Sequence, residues 1–286
     1  MKKSSVKLAD VTTYKFGGYC NNFYEINSVN QLQAKKFNNH REEFLILGKG
    51  SNLVFSDDGY EGTIVKPNID FIDLNSKKTT LSIGCSTFLP DIARFSKNKS
   101  IANLEWLIGI PGSVGGAVRM NAGAYGFEFS DHIRSVKVYN FETQEIEVEE
   151  KDFFEFSYRT AKNLNNKIVL SVELSVEEGD PIQIQKHIGE NLSRRKITQP
   201  PAIYNAGSVF KNPKEGSAGY FIEQAGLKGY SINGVEVSKK HANFFVAQKG
   251  SSSQSLFNLV KYVKSTVLEK YDILLEEEII FVGNFH

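Results

Sequence analysis

Between Gly109 and Gly126 the chain reads G-I-P-G-S-V-G-G-A-V-R-M-N-A-G-A-Y-G, with six glycines and Arg119 as the single charged residue. Glycine accepts positive φ and lets backbone approach a ligand closely. Successive backbone N–H groups in such loops form concavities that hold anions. The stretch therefore suits a phosphate-bearing ligand bound through main chain. Upstream, Gly48-Lys49-Gly50-Ser51-Asn52 lies between two short apolar runs, 44–47 and 53–55, that read as buried strands. It is not a Rossmann fingerprint, because no helical period follows, and it lacks the G-K-[ST] of a Walker A loop. A tight turn of small residues is the plain alternative for this segment alone. Two glycine-rich, non-helical loops in one chain suggest a nucleotide cofactor held between them.

Three further places could do chemistry. Ser208 lies in N-A-G-S-V-F-K-N (205–212), where a hydroxyl follows small residues and precedes a cation and an amide. No G-x-S-x-G elbow is present, so a hydrolase nucleophile is not supported. Arg159 follows F-S-Y and carries a permanent planar charge suited to carboxylates and phosphates. Glu276, Glu277 and Glu278 sit inside the apolar run 274–282. Alternation along a strand over 274–282 places Glu276 and Glu278 on one face with Leu274, Ile280 and Val282. Glutamate is depleted in strands, and a carboxyl buried there has its pKa raised, as an acid requires. A turn serine, a surface arginine and a solvated edge strand are the plain alternatives. Spacing alone does not choose among these.

The 286 residues suffice for two or three domains, and 41% hydrophobic content suffices for a sizeable core. Lys+Arg 34 against Asp+Glu 33 leaves a net charge of +1, which gives no reason to expect nucleic acid or a membrane surface as partner. No apolar run approaches a membrane span, and Met1–Lys7 is not followed by a signal-type apolar segment. Cys20 and Cys85 are the two cysteines, too few for a disulfide framework or a zinc site, and read as free thiols of a reducing cytoplasm. The five histidines show no metal-ligand spacing, so no metal is expected.

The elements that must position these residues follow from pattern. Strands are expected at 79–84, 135–140, 145–150, 167–176, 243–247 and 274–282. Helices are expected near 30–37, 90–97 and 217–225. Asp180-Pro181 reads as a helix N-cap with proline at the first position, followed by Ile184, Ile188 and Leu192. Leu256, Leu259, Val260, Val263 and Val267 mark one face of a helix capped by the serines at 251–253. Pro67-Asn68 is a plausible boundary.

Seven segments carry a resemblance: T-T-Y-K-F-G-G (12–18), L-G-K-G-S-N-L (47–53), I-P-G-S-V-G-G-A-V-R-M-N-A-G-A-Y-G (110–126), Y-R (158–159), A-G-S-V-F-K-N-P (206–213), F-I-E-Q-A-G-L-K-G (221–229) and E-x-x-F-V-G (278–283). The chain resembles the UDP-N-acetylenolpyruvoylglucosamine reductases, flavoenzymes that complete UDP-N-acetylmuramate for bacterial cell-wall synthesis. The resemblance implies an α+β protein with the FAD-binding fold of the vanillyl-alcohol oxidase and p-cresol methylhydroxylase type. It implies FAD-binding subdomains over 1–67 and 68–197, and an α+β substrate domain over 198–286 whose final strand returns to the flavin. FAD would be held without a covalent bond by Gly48, Lys49, Gly50, Ser51, Asn52, Gly112, Ser113, Val114, Gly115, Gly116, Asn121 and Gly123. NADPH would reduce it.

The same resemblance makes Arg159, Ser208 and Glu278 the catalytic residues. Arg159 and Glu278 would stabilise the enolate formed on the enolpyruvyl substrate, and Ser208 would protonate its carbanionic carbon. Asn212 and Gln224 correspond to substrate-binding positions. The chain departs from the longer form of the family, since no inserted loop with a clamping tyrosine follows the strand at 167–176. It looks like the short subclass, and Arg195 and Lys211 become the candidates for the UDP diphosphate. A monomer acting on a small molecule in the bacterial cytoplasm is implied.

Overall fold

Local sequence signals set the starts of the two longest described helices. The computed structural model describes residues 1–35 and 44–286. Helices run at α1 (Val29–Lys35), α2 (Leu89–Lys99), α3 (Val114–Met120), α4 (Pro181–Thr198), α5 (Ala218–Gln224) and α6 (Ser253–Tyr271). The last two residues of the helix expected near 30–37 lie outside the described residues. Asp180 caps α4 through its side chain, which accepts the Ile182 N–H at 2.9 Å, and Ser252 caps α6 by accepting the Ser255 N–H at 3.1 Å. These bonds satisfy donors that a helix start leaves without partners. In α4, Ile184 and Ile188 are buried, whereas Leu192 is exposed.

Close packing divides the chain into two units. The first comprises Met1–Lys3, Phe23–Lys49 and Gly62–Arg195. It holds an antiparallel sheet in the order Glu145–Glu150, Ile133–Asn140, Lys167–Ser175, Thr80–Gly84, Ile72–Leu74. Val114, Ala117 and Val118 of α3 join Leu89 and Ile92 of α2 in the core that also buries Leu81, Ile83, Val172 and Leu174. The parallel pair Phe44–Ile46 and Tyr60–Pro67, in register Ile46↔Val65, leads into the Gly48 turn.

The second unit comprises Ser4–Asn22, Gly50–Glu61 and Lys196–His286. Its sheet joins Ser231–Ile232, Val235–Val237 and Phe245–Ala247. Leu256, Leu259, Val260, Val263 and Val267 of α6 bury with this sheet's Val235, Val237 and Phe245. The strand Leu53–Phe55 pairs in parallel with Ile280–Val282.

Two expectations need correction. The long glycine stretch is not one loop, because its middle forms α3. Gly115 allows this: its N–H donates to the Cys85 carbonyl at 2.8 Å, and a Cβ there would stand 3.3 Å from that oxygen. The helix packs so tightly on Cys85 that a larger side chain would have to push it aside. The expected strand over 274–282 is regular only at Ile280–Val282. The Val209 carbonyl accepts both the Glu278 N–H at 2.8 Å and the Ile279 N–H at 3.4 Å, which bends the chain there. Leu275 and Ile279 face inward, while Leu274 and Ile280 are 69% and 45% exposed.

Candidate active site

The first unit carries the longer glycine segment and Arg159. Gly48 abuts Ser113, since a Cβ on Gly48 would lie 2.6 Å from the Ser113 hydroxyl. Among the described residues, none accepts a hydrogen bond from the N–H groups of Gly48, Lys49, Gly50 or Ser51. Gly50 is buried, so its amide is an orphan donor, and such groups are rare unless a ligand takes them. Gly50 also needs its bare backbone: its φ is +64° and a Cβ would stand 2.1 Å from the Val11 carbonyl. The start of α3 offers less to an anion. The Val114 N–H goes to Thr87 and the Gly115 N–H to Cys85. Gly112 is spent likewise, donating to Ile110 and accepting from Leu89. Ser113 and the Val114 side chain are buried. Gly116, by contrast, is exposed, and a Cβ there would meet only the Ser113 hydroxyl at 3.5 Å. Within the first unit, the Gly48 backbone and the bare Gly116 face both border the Ser113 hydroxyl, a small surface that suits a phosphate-bearing cofactor such as FAD.

Asn121 ends α3 in the left-handed conformation and is fully enclosed. Its Nδ2 donates to Glu128 at 2.8 Å and to the Ser157 carbonyl at 3.1 Å, and its Oδ1 accepts from the Ser130 N–H at 3.1 Å. Its amide is thus spent on the protein and ties the glycine stretch to the turn that holds Arg159. In that turn Ser157 and Thr160 exchange both backbone bonds at 3.0 Å. Arg159 has φ +55°, a conformation that glycine or asparagine usually takes. Its Nη2 donates to the Gly123 carbonyl at 2.9 Å, and its guanidinium lies 4.9 Å from the Tyr158 ring centroid. Gly123 must be glycine, because a Cβ would sit 2.7 Å from the Phe127 carbonyl and 3.1 Å from Arg159 Nη1. A strained residue held by neighbours is a common feature of functional sites.

The second unit carries Ser208 and Glu278. Gly207, at φ +77°, turns the chain into Ser208. Ser208 forms an isolated antiparallel bridge with Phe244, and Phe210 forms one with Glu277. Among the described residues the Ser208 hydroxyl has no hydrogen-bond partner. The Glu278 N–H donates to Val209 and its carbonyl accepts from Asn52 Nδ2 at 2.9 Å. Asn52, expected at the flavin, fixes the Glu278 backbone. Glu276 pairs with Lys211 and Glu277 with Lys264 of α6.

Several expected substrate contacts are engaged within the protein. Lys211 is held by Glu276. Asn212 Oδ1 accepts the Ala218 N–H at 3.0 Å, at the start of α5. Gln224 is exposed at the last position of α5. Arg195 donates to the Gly109 carbonyl, and burial lowers its pKa from the ordinary arginine value. The sequence reading missed Asn243, whose side chain binds the backbone of Phe210. No spacing signal could find it, because the two residues lie 33 positions apart.

Comparison with known proteins decides the family. A family model described as the C-terminal domain of UDP-N-acetylenolpyruvoylglucosamine reductase matches residues 199–282, and one described as an FAD binding domain matches residues 26–148. The chain is 35% identical to the UDP-N-acetylenolpyruvoylglucosamine reductase of Anoxybacillus flavithermus, covering 98% of this chain and 94% of that one. The chain belongs to the UDP-N-acetylenolpyruvoylglucosamine reductases. The Bacillus subtilis reductase is likewise 35% identical, over 96% of this chain and 92% of that one. The crystal structure of the Thermus caldophilus reductase superimposes with a TM-score of 0.87 at 29% identity, covering 99% of this chain and all of that one. The α+β FAD-binding fold expected from sequence is therefore the observed one, and the segments quoted from Thr12 to Gly283 belong to a family likeness that runs almost end to end.

Proposed function

We propose that the chain reduces the enolpyruvyl ether of UDP-N-acetylglucosamine to UDP-N-acetylmuramate, using NADPH and bound FAD. The observation that carries this reading is Ser208: a hydroxyl with no partner among the described residues, on a strip whose backbone is bonded along both edges. A proton donor held still, with its proton uncommitted, is what the last step of such a reduction requires. The Gly50 N–H, buried and without an acceptor among the described residues, supports FAD as the cofactor.

FAD, held by the glycine-rich segments, would supply hydride-transfer chemistry between NADPH and the substrate double bond. The protein's part is orientation and charge. Arg159 places a fixed positive charge where the substrate carboxylate gains electron density. Its anchorage to the Gly123 carbonyl limits the reorganisation needed during reaction. Glu278, in its protonated form, donates to the same developing charge. Ser208 gives its proton to the carbon that would otherwise stay carbanionic. A hydroxyl is a weak acid, but a carbanion is a much stronger base, so placement matters more than acidity. Lys211, Asn212, Gln224 and Arg195 are proposed to grip the UDP-sugar. The enzyme is proposed to work as a monomer in the bacterial cytoplasm. Two buried free thiols and a near-neutral charge agree with that.

The test is direct. Anaerobic NADPH should bleach the yellow holoenzyme, and the UDP-enolpyruvyl sugar should restore the colour. Indifference to that sugar, with oxygen consumed on small alcohols instead, would mark an oxidase of the same fold and overturn the proposal.

A further inference from the structure

Asn243 is 3% exposed and its side chain is spent on one peptide group. The Phe210 N–H donates to Asn243 Oδ1 at 2.9 Å, and Asn243 Nδ2 donates to the Phe210 carbonyl at 2.7 Å. Its own backbone carbonyl accepts the Val209 N–H at 2.8 Å. One residue therefore makes three bonds to the two residues that follow Ser208. The side chain acts as a substitute for backbone. The ladder begun by the Ser208–Phe244 bridge cannot continue, because the chain turns there: the Phe244 N–H goes to the His241 carbonyl at 2.9 Å and the Asn243 N–H to His241 Nδ1 at 3.3 Å. A primary amide presents the same donor and acceptor as a peptide. Asn243 thus completes the pairing that the turn interrupts.

The opposite edge of the same strip is bonded to the glutamate segment. Val209 accepts from the Glu278 N–H, and the Lys211 N–H donates to the Glu276 carbonyl, each at 2.8 Å. Residues 208–211 lie between an edge set by Asn243 and an edge set by 276–278. A shift of the strip towards either side would move Ser208 and Glu278 together.

We propose that Asn243 is a positioning residue that fixes the Ser208 hydroxyl for proton transfer by clamping the Phe210 peptide. This rests on the reading of Ser208 as the proton donor. The role demands both ends of the amide. Aspartate keeps the acceptor for the Phe210 N–H but sets a second oxygen against the Phe210 carbonyl.

A cycle on the holoenzyme tests it, with Asn243→Ala and the nearly isosteric Asn243→Asp made alone and with Ser208→Ala. Stopped-flow absorbance reads flavin reduction by NADPH and reoxidation by the UDP-enolpyruvyl sugar. Flavin content and melting temperature identify a variant that has not folded, and Asn243→Asp then carries the test. Each single Asn243 variant should leave the NADPH step within about twofold and slow reoxidation roughly 10–100-fold, the scale on which misplacement of a reacting group acts. With Ser208→Ala already present, the same change should cost less than about twofold more, because no hydroxyl remains to be misplaced. Equal slowing of both steps, or a full further loss in the double variant, overturns the positioning role while Ser208 stands as donor. Unimpaired reoxidation by Ser208→Ala alone overturns the donor reading, and this proposal with it.

Discussion

Glu276 and Glu277 are each committed to a lysine, Glu276 to Lys211 and Glu277 to Lys264 at 2.8 Å. The Glu278 backbone is pinned between Val209 and Asn52. Glu278→Gln and Arg159→Ala should therefore each slow flavin reoxidation by the UDP-enolpyruvyl sugar roughly 10²–10³-fold, the usual cost of removing a group aimed at developing charge. Glu277→Gln should loosen a half-buried ion pair with Lys264 and change the rate little. Equal damage at 277 and 278 would show that the wrong carboxyl has been assigned. At this scale the sequence was only partly legible. Arg159, Ser208 and Glu278 stood out through motif resemblance, not through spacing. Asn52, Asn121 and Asn243 read as ligand residues or as nothing. Their amides are spent on partners within the protein, several of them far along the chain, and that distance hides them.

At the scale of elements, α3 and the final strand show why pattern can mislead. Two glycines in seven residues argue against a helix by propensity, yet Gly115 packs tightly on Cys85, where a Cβ would stand 3.3 Å from the carbonyl oxygen. Gly115→Val should therefore lower the melting temperature of the flavin-free protein as well as its flavin content. Gly116→Val should weaken flavin binding and leave the melting temperature of the flavin-free protein nearly unchanged, since among the described residues a Cβ there makes only an ordinary 3.5 Å contact with the Ser113 hydroxyl. Flavin titration and thermal melts of both variants check this, and an unaltered flavin affinity in Gly116→Val would remove that face from the cradle. Where a single rule governed, the elements were legible. The apolar stripe of α6 and its serine cap follow from period and capping, and Ser252→Ala should cost about 1 kcal/mol in denaturant unfolding. The strand over 274–282 was misread because alternation assumes a regular ladder, and the shared Val209 carbonyl breaks it.

At the scale of the whole molecule, each unit gathers three separated stretches of chain. A left-to-right reading of composition cannot show that. Each unit also holds a histidine whose pKa burial lowers below the ordinary value, His132 in the first and His241 in the second. The unfolded chain takes up protons at these histidines that the native state refuses. Their contribution to stability is therefore complete above about pH 6.5 and is lost as pH falls below it. The melting temperature should drop on acidification from about pH 7.5 to 5.5, and His132→Gln should flatten that drop; a melting temperature that rises instead contradicts the burial argument. His132 Nε2 is buried without a partner among the described residues, which makes it the cleaner probe. The central claim is that this chain completes an enolpyruvyl reduction with Ser208 as the proton donor, and the measurement closest to it is anaerobic stopped-flow on Ser208→Ala. The reduction of flavin by NADPH forms no carbanion and should proceed nearly as in the parent enzyme. Reoxidation by the UDP-enolpyruvyl sugar should slow roughly 10²–10⁴-fold, the range lost with a positioned proton donor, so the flavin bleaches and stays bleached. Reoxidation at the parent rate, or a defect confined to the NADPH step, would contradict the account.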